Sequence, residues 1–395
     1  MTITFKTLIP AGKPKPRTEI VRNFTPNWFT VTMGTGVLAL ALNQLPFAGS
    51  WLHWLAEDLW LMDIVLFGLF SALYTTRWLL FFDEARRDFR HPVMSMSFGA
   101  VPMGLATIIN GFLVFGYGLL GDMALAIAHS LWWIDVAMSL ACGLAIPYFM
   151  FTRQEHSVEK LTAVWLLPIV AAEVSAVSGA MLIPHLPPAE ALLTLLLSYV
   201  LWAYSVPLAM SVLVLLVLRL ALHKLPERDM GPSAWLALGP IGTGSLGLVL
   251  LGGDAQKTFD AIGVHSVGEV AAGLGVIGGV VMWGYGAWWL ALAALKTIHY
   301  LRRGLPFNLG WWGFTFPLGV YSLATFALAR VAHFGLFTEI GEMLVVCLAA
   351  FWAIVASRTV YSAWHGDFFA APCLGDSRFI ARFEADAVRV RTDRR

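Results

Sequence analysis

A chain of 395 residues that is 58% hydrophobic, only 13% charged and close to neutral at +1 departs far from an ordinary soluble domain, which carries about 25% charged residues. Too few polar side chains exist to cover a soluble globule of this size, and no basic field exists to meet phosphates. A soluble enzyme, a disordered chain and a nucleic-acid binder are therefore excluded, and an integral membrane protein remains. Residues 1–26 are basic and contain Pro10, Pro14 and Pro16, which predicts a cytoplasmic segment and not the apolar stretch of a signal peptide. Ten apolar runs follow, at 27–45, 60–82, 98–118, 122–149, 162–183, 189–220, 232–252, 264–295, 309–330 and 338–362. Each is long enough to cross a bilayer core of ~30 Å as a helix. Runs such as Leu192 to Leu197 are apolar on every face, unlike the alternation of a β-barrel strand. The expected fold is all-α and integral to the membrane: a ten-helix domain over residues 27–363, followed by a solvated tail over 364–395.

The placement of Lys and Arg orients these spans. The N-terminal segment, the even-numbered connections and the C-terminal end hold almost all of them, whereas the odd-numbered connections hold only Lys257 and Arg330. An even number of spans with both termini cytoplasmic follows. The expected location is a cell membrane, a bacterial inner membrane in preference to a eukaryotic plasma membrane, with the lipid bilayer as partner. Three scattered cysteines, Cys142, Cys347 and Cys373, form no C-x-x-C pair. The histidines show no H-E-x-x-H spacing, so neither metal nor cofactor is expected.

An internal register runs through the odd-numbered spans. Pro102, Pro168, Pro240 and Pro317 recur inside four of them, and Thr32 holds the matching place in the first. Two residues later stand Gly34, Gly104, Val170, Gly242 and Gly319; five residues later stand Val37, Thr107, Glu173, Ser245 and Ser322. The chain therefore reads as five tandem helical hairpins. Proline frees a backbone carbonyl and kinks a helix, and a freed carbonyl in a bilayer needs water, protein or a hydroxyl as its partner. Five such helices suit a central, partly hydrated pathway, with the even-numbered helices as an outer, lipid-facing ring. The competing use of these glycines is close helix packing. Gly242-Thr243-Gly244-Ser245-Leu246-Gly247 matches a dinucleotide fingerprint, but it sits inside a membrane span with no strand before it. Its G-T-G repeats Gly34-Thr35-Gly36 of the first span, so it belongs to the same register.

Two longer motifs add a resemblance. Asn23-Phe24-Thr25-Pro26-Asn27-Trp28-Phe29 leads into Met33-Gly34-Thr35-Gly36, and Trp311-Trp312-Gly313-Phe314-Thr315-Phe316-Pro317-Leu318-Gly319 stands near the other end. With the ten spans and the proline register, the chain from about residue 23 to 365 resembles the tellurite-resistance/dicarboxylate transporter family. That family includes TehA-type proteins, fungal malate permeases, sulfite efflux pumps and the slow anion channels of plant guard cells. The M-G-T-G opening is more similar to the malate and sulfite branch. The resemblance implies five hairpins around a central anion pore, often as a homotrimer, and a pore-plugging phenylalanine that by motif position is Phe316. It implies small anions as cargo: sulfite or a C4-dicarboxylate such as malate, with tellurite or chloride as alternatives.

A ring projecting into an apolar constriction blocks ions by excluding water, which suits Phe316 to a gate. Gly34, Thr35, Gly36, Gly104, Thr107, Gly242, Thr243, Gly244, Ser245, Gly319 and Ser322 are the expected lining. One geometric conflict stands: Phe316 and Ser322 are six residues apart, about 240° around an ideal helix, so both cannot face one straight axis. Glu173 lies mid-span, where burying a carboxylate costs at least ~2.5 kcal/mol. It is expected to be neutral, paired or turned from the pore, and it separates a proton-coupled carrier from a passive channel. A membrane-embedded enzyme would need acid–base or metal residues gathered near one surface, and the candidates here are dispersed.

Overall fold

The computed structural model describes residues 17–46, 50–366 and 374. Cys373, residues 1–16 and nearly all of the expected 364–395 tail lie outside them. Ten long helices follow in order: α1 Phe29–Leu42, α2 Ser50–Leu80, α3 Ala100–Gly111, α4 Asp122–Thr152, α5 Leu167–Leu182, α6 Pro188–His223, α7 Leu238–Ala261, α8 His265–Leu301, α9 Phe316–Ala332 and α10 Gly335–Trp364. With their helical extensions, nine helices among the described residues are long and apolar enough to cross a membrane. The exception is α1, with 14 residues. The chain is an all-α, multi-pass membrane protein. Where the second apolar run was expected to begin at 60, α2 begins at Ser50, because its first turns carry Glu57 and Asp58. A helix can continue into water beyond its apolar run.

The odd-numbered helices are the inner ones. Packing contacts run in a closed cycle, α1 to α3, α3 to α5, α5 to α7, α7 to α9 and α9 back to α1. Every residue of α1 but Thr30 is buried, and the apolar windows of the spans containing α3, α5, α7 and α9 are 72–94% buried. Those of α2, α4, α6, α8 and α10 are only 17–39% buried. Their outer faces present Val65, Leu69, Val214, Ile277, Val281 and Val346, as a surface against hydrocarbon requires. Each even-numbered helix packs on the odd helix before it and also on the next odd helix, with α10 closing onto α1.

All five inner helices are led in by a 3₁₀ segment: Pro26–Trp28, Met94–Gly99, Ala163–Leu166, Arg228–Ala237 and Leu309–Phe314. The register prolines stand where the tighter turn relaxes into α-helix. Pro168 and Pro317 are second in α5 and α9, and Pro102 and Pro240 third in α3 and α7. In a first turn the missing N–H is one that has no i−4 partner within the α-helix, so proline costs little there. The prolines expected to kink these helices thus fall at a change of helix type at each join.

The even-numbered connections share one end of the bundle. Arg22 pairs with Glu84 at 2.7 Å, which puts the N-terminal segment beside the connection after α2. Gln154 Nε2 donates to the Phe89 carbonyl, tying the connection after α4 to the same end. Arg219 donates to the Glu159 carbonyl, and Arg228 to the Arg303 carbonyl, adding the connections after α6 and α8. A fully buried ion pair anchors this basic end: Arg77 Nη1 and Nη2 donate to Asp88 at 2.6 and 3.1 Å, and Nη1 also donates to the Phe24 carbonyl.

Candidate permeation axis

One small cavity is lined from all five inner helices or their lead-in turns. Met33 comes from α1, Met103 from α3, Leu167 and Val170 from α5, Gly239 and Pro240 from α7, and Phe316 and Pro317 from α9. A cavity that touches every member of a closed ring lies on the ring's axis. Its volume is about 10 Å³, and a single water needs about 10–15 Å³. Every side chain around it is apolar, so the axis is narrow and dry at this level. Phe316 is 2% exposed and contributes the largest ring of the lining. Gly239 stands at the same level, and a Cβ built there would meet nothing within 4 Å. The register position before the proline therefore carries Leu167, Gly239 and Phe316 to the axis in three of the four proline-bearing helices, and in α3 the residue after it, Met103, takes that place.

The glycine column occupies the seams between helices. A Cβ on Gly34 would strike Trp312 and the Thr315 hydroxyl, one on Gly36 the Thr107 hydroxyl and Asp63, and one on Gly104 the Thr32 hydroxyl. On Gly319 it would strike Val37, on Gly242 the Tyr321 backbone, and on Gly244 Met282 and Val206 of the outer helices. These residues let neighbouring helices close the ring. Gly242→Val puts a Cβ 2.8–2.9 Å from backbone atoms of Tyr321, which cannot move aside as a side chain could. It is expected to lower stability by about 1–3 kcal/mol, measured as a lower thermal midpoint in detergent.

Three members of the polar column face the outer helices. Thr107 Oγ1 donates to Asp63 of α2 at 3.1 Å, and Ser245 Oγ to the Gly279 carbonyl of α8 at 2.8 Å. Glu173 Oε2 accepts from Ser205 of α6 at 3.2 Å, while Glu173 Oε1 has no partner among the described residues. Ser322 Oγ donates to the Gly319 carbonyl of its own helix, and Thr35 Oγ1 accepts from Trp352 Nε1 of α10. The 240° between Phe316 and Ser322 is resolved in this way: the ring takes the axis and the hydroxyl stays against its own helix. Thr243 is the exception among the hydroxyls named from sequence. It is buried, and its Oγ1 has no partner among the described residues. It lies one turn beyond Gly239, on the same helix face.

Sequence reasoning missed the axis-lining residues other than Phe316. The signal available was a position next to the register residue: Met33 follows Thr32, Met103 follows Pro102, and Leu167 and Gly239 precede Pro168 and Pro240. Asp135 of α4 accepts from Ser175 of α5 at 2.6 Å.

A family model described as voltage-dependent anion channel matches residues 23–360. The chain belongs to that family. Among its relatives is a sulfite efflux pump of Arthroderma otae, 37% identical over 92% of this chain and 98% of that protein. A sulfite efflux pump of Trichophyton rubrum is 38% identical over 88% and 93%. A malic acid transport protein of Schizosaccharomyces pombe is 23% identical over 86% of this chain and 78% of that protein. With fungal relatives of this similarity, the expectation of a bacterial membrane has no support, and a multi-pass membrane location is what stands.

Proposed function

We propose that the chain moves small anions across a membrane along the axis enclosed by α1, α3, α5, α7 and α9, with sulfite as the first cargo and a C4-dicarboxylate such as malate as the second. Membership of an anion-channel family and relatives named as sulfite efflux pumps at 37–38% identity support the cargo class. The observation that carries the route is the cavity lined from all five inner helices. All ten helices span in this reading. Fourteen residues of α1 at about 1.5 Å each, with three 3₁₀ residues at about 2 Å, reach ~27 Å, close to the bilayer core. Five hairpins, each an inner helix followed by an outer one, then surround one pore within each chain of a homotrimer, with both termini on the cytoplasmic side.

Phe316 is the gate. In this reading the ring closes the pathway, and it swings toward Gly239, which carries no side chain, when the pathway widens. Thr243 offers a hydroxyl to the passing anion. Fixed positive charge is absent from the lining, so selection rests on width and on hydroxyl or backbone donors. Glu173 faces α6 and braces the inner ring against the outer one, which favours passive flux over proton coupling. Proteoliposome flux of sulfite, malate and chloride, with and without a pH gradient, tests the reading. Sulfite flux that ignores the gradient is expected; no flux of any of the three would overturn it.

A further inference from the structure

At the basic end of the bundle, between the turns leading into α5 and α7, two buried cations share one small chamber. Arg219 of α6 and Lys296 of α8 are 4% and 8% exposed. With Thr162, Ser233 and Tyr300 they line a cavity of about 20 Å³, room for one water-sized sphere. Arg219 spends its donors on backbone carbonyls: Nε and Nη2 on Glu159 at 2.9 and 2.7 Å, and Nη1 on Lys224. Those carbonyls satisfy its hydrogen bonds but bring only partial charge. Lys296 Nζ lies 5.7 Å over the Trp289 ring. Among the described residues it has no hydrogen-bond partner and no carboxylate within 4.0 Å. Ser233 donates to the Met230 carbonyl and Tyr300 to the Pro226 carbonyl, so neither neutralises it. No acid lines the chamber. Buried charges in proteins are otherwise paired or bound to a counter-ion.

We propose that this chamber is a site for one small inorganic anion of chloride size, held between Lys296 and Arg219, off the permeation axis. The volume sets the size, and the two uncompensated cations set the charge. The adjoining outer cleft, of about 600 Å³, is lined by Glu155, Glu159, Glu227 and Asp229 together with Lys160, Arg219, His156 and His223, so four carboxylates against two fixed cations disfavour a lipid phosphate or a nucleotide there. The bound ion ties α6 and α8 to the turns that carry α5 and α7, and so stabilises two members of the inner ring from outside the pathway.

The test uses the purified full chain in neutral detergent. Its thermal midpoint is followed by tryptophan fluorescence in sodium bromide and in sodium gluconate at equal ionic strength. A saturable rise in bromide is expected for the wild type and for Lys296→Arg, and its loss for Lys296→Met. No rise in the wild type, or an equal rise in Lys296→Met, overturns the proposal, since an ion bound only on the axis would stabilise both. A rise produced by phosphatidylglycerol and not by bromide overturns it too. If Lys296→Met does not fold, bromide anomalous scattering from wild-type crystals decides. A peak between Lys296 and Arg219 supports the site, and its absence refutes it.

Discussion

Replacing Phe316 with alanine is expected to raise sulfite flux in proteoliposomes by at least about tenfold. The ring fills the axis among Met33, Met103, Leu167 and Val170, and the space left is about 10 Å³. An anion crossing there must shed water without finding a donor, which costs several kcal/mol. Truncation to a methyl group opens a path wide enough for hydration to continue. Lowering the barrier by only ~1.4 kcal/mol gives tenfold. The lining around it is apolar and supplied by four other helices, so the fold should survive, and a thermal midpoint within a few degrees of wild type should accompany the faster flux. Unchanged flux for sulfite, malate and chloride would remove Phe316 from the gate.

The largest expected effect on stability lies at the basic end. Arg77 and Asp88 are both fully buried, and Arg77 bridges Asp88 to the Phe24 carbonyl just before α1. Tyr74 adds a longer hydrogen bond, 3.3 Å, from its hydroxyl to Asp88. Arg77→Met removes the guanidinium that donates to the Asp88 carboxylate in a place water does not reach. Breaking a buried pair on one side costs about 3–5 kcal/mol, more than the pair itself contributes. Arg77→Met is therefore expected to unfold at a much lower temperature than wild type, and Arg77→Met with Asp88→Asn to recover a large part of the loss. If the double variant is no more stable than the single one, the charge imbalance is not the cause.

The sequence made the spans and their division into two kinds legible, because length, apolarity and the proline spacing are properties of the chain alone. Which face of each inner helix looks at the axis was not legible. An amphipathic helix reveals its orientation through a polar side, but α5 is buried all round and mixes Val170, Glu173 and Ser175 with no wet side to read. Spacing gave the angle between Phe316 and Ser322 but no zero from which to measure it. The 3₁₀ lead-ins were missed, although each carries an aromatic shortly before the first α turn: Trp28, Phe98, Trp165, Trp235 and Trp312. In the sequence, Arg77, Arg219 and Lys296 look like any other basic residue at the end of a span. Their burial depends on which connections meet at that end of the bundle, and this is a tertiary fact. Glu173 was legible as a buried acid, but its partner Ser205 lies a full helix away.

The central claim is that anions pass between the five inner helices at the level of Phe316, and Gly239 allows a direct test. In a background lacking the native cysteines, Phe316→Ala with Gly239→Cys places a thiol where the glycine now faces open space on the axis. Sulfite flux is measured before and after complete modification by a charged methanethiosulfonate, with the extent of reaction read by mass spectrometry. The account predicts that modification abolishes the raised flux while leaving Phe316→Ala without the cysteine unaffected. Full modification with flux undiminished would contradict it.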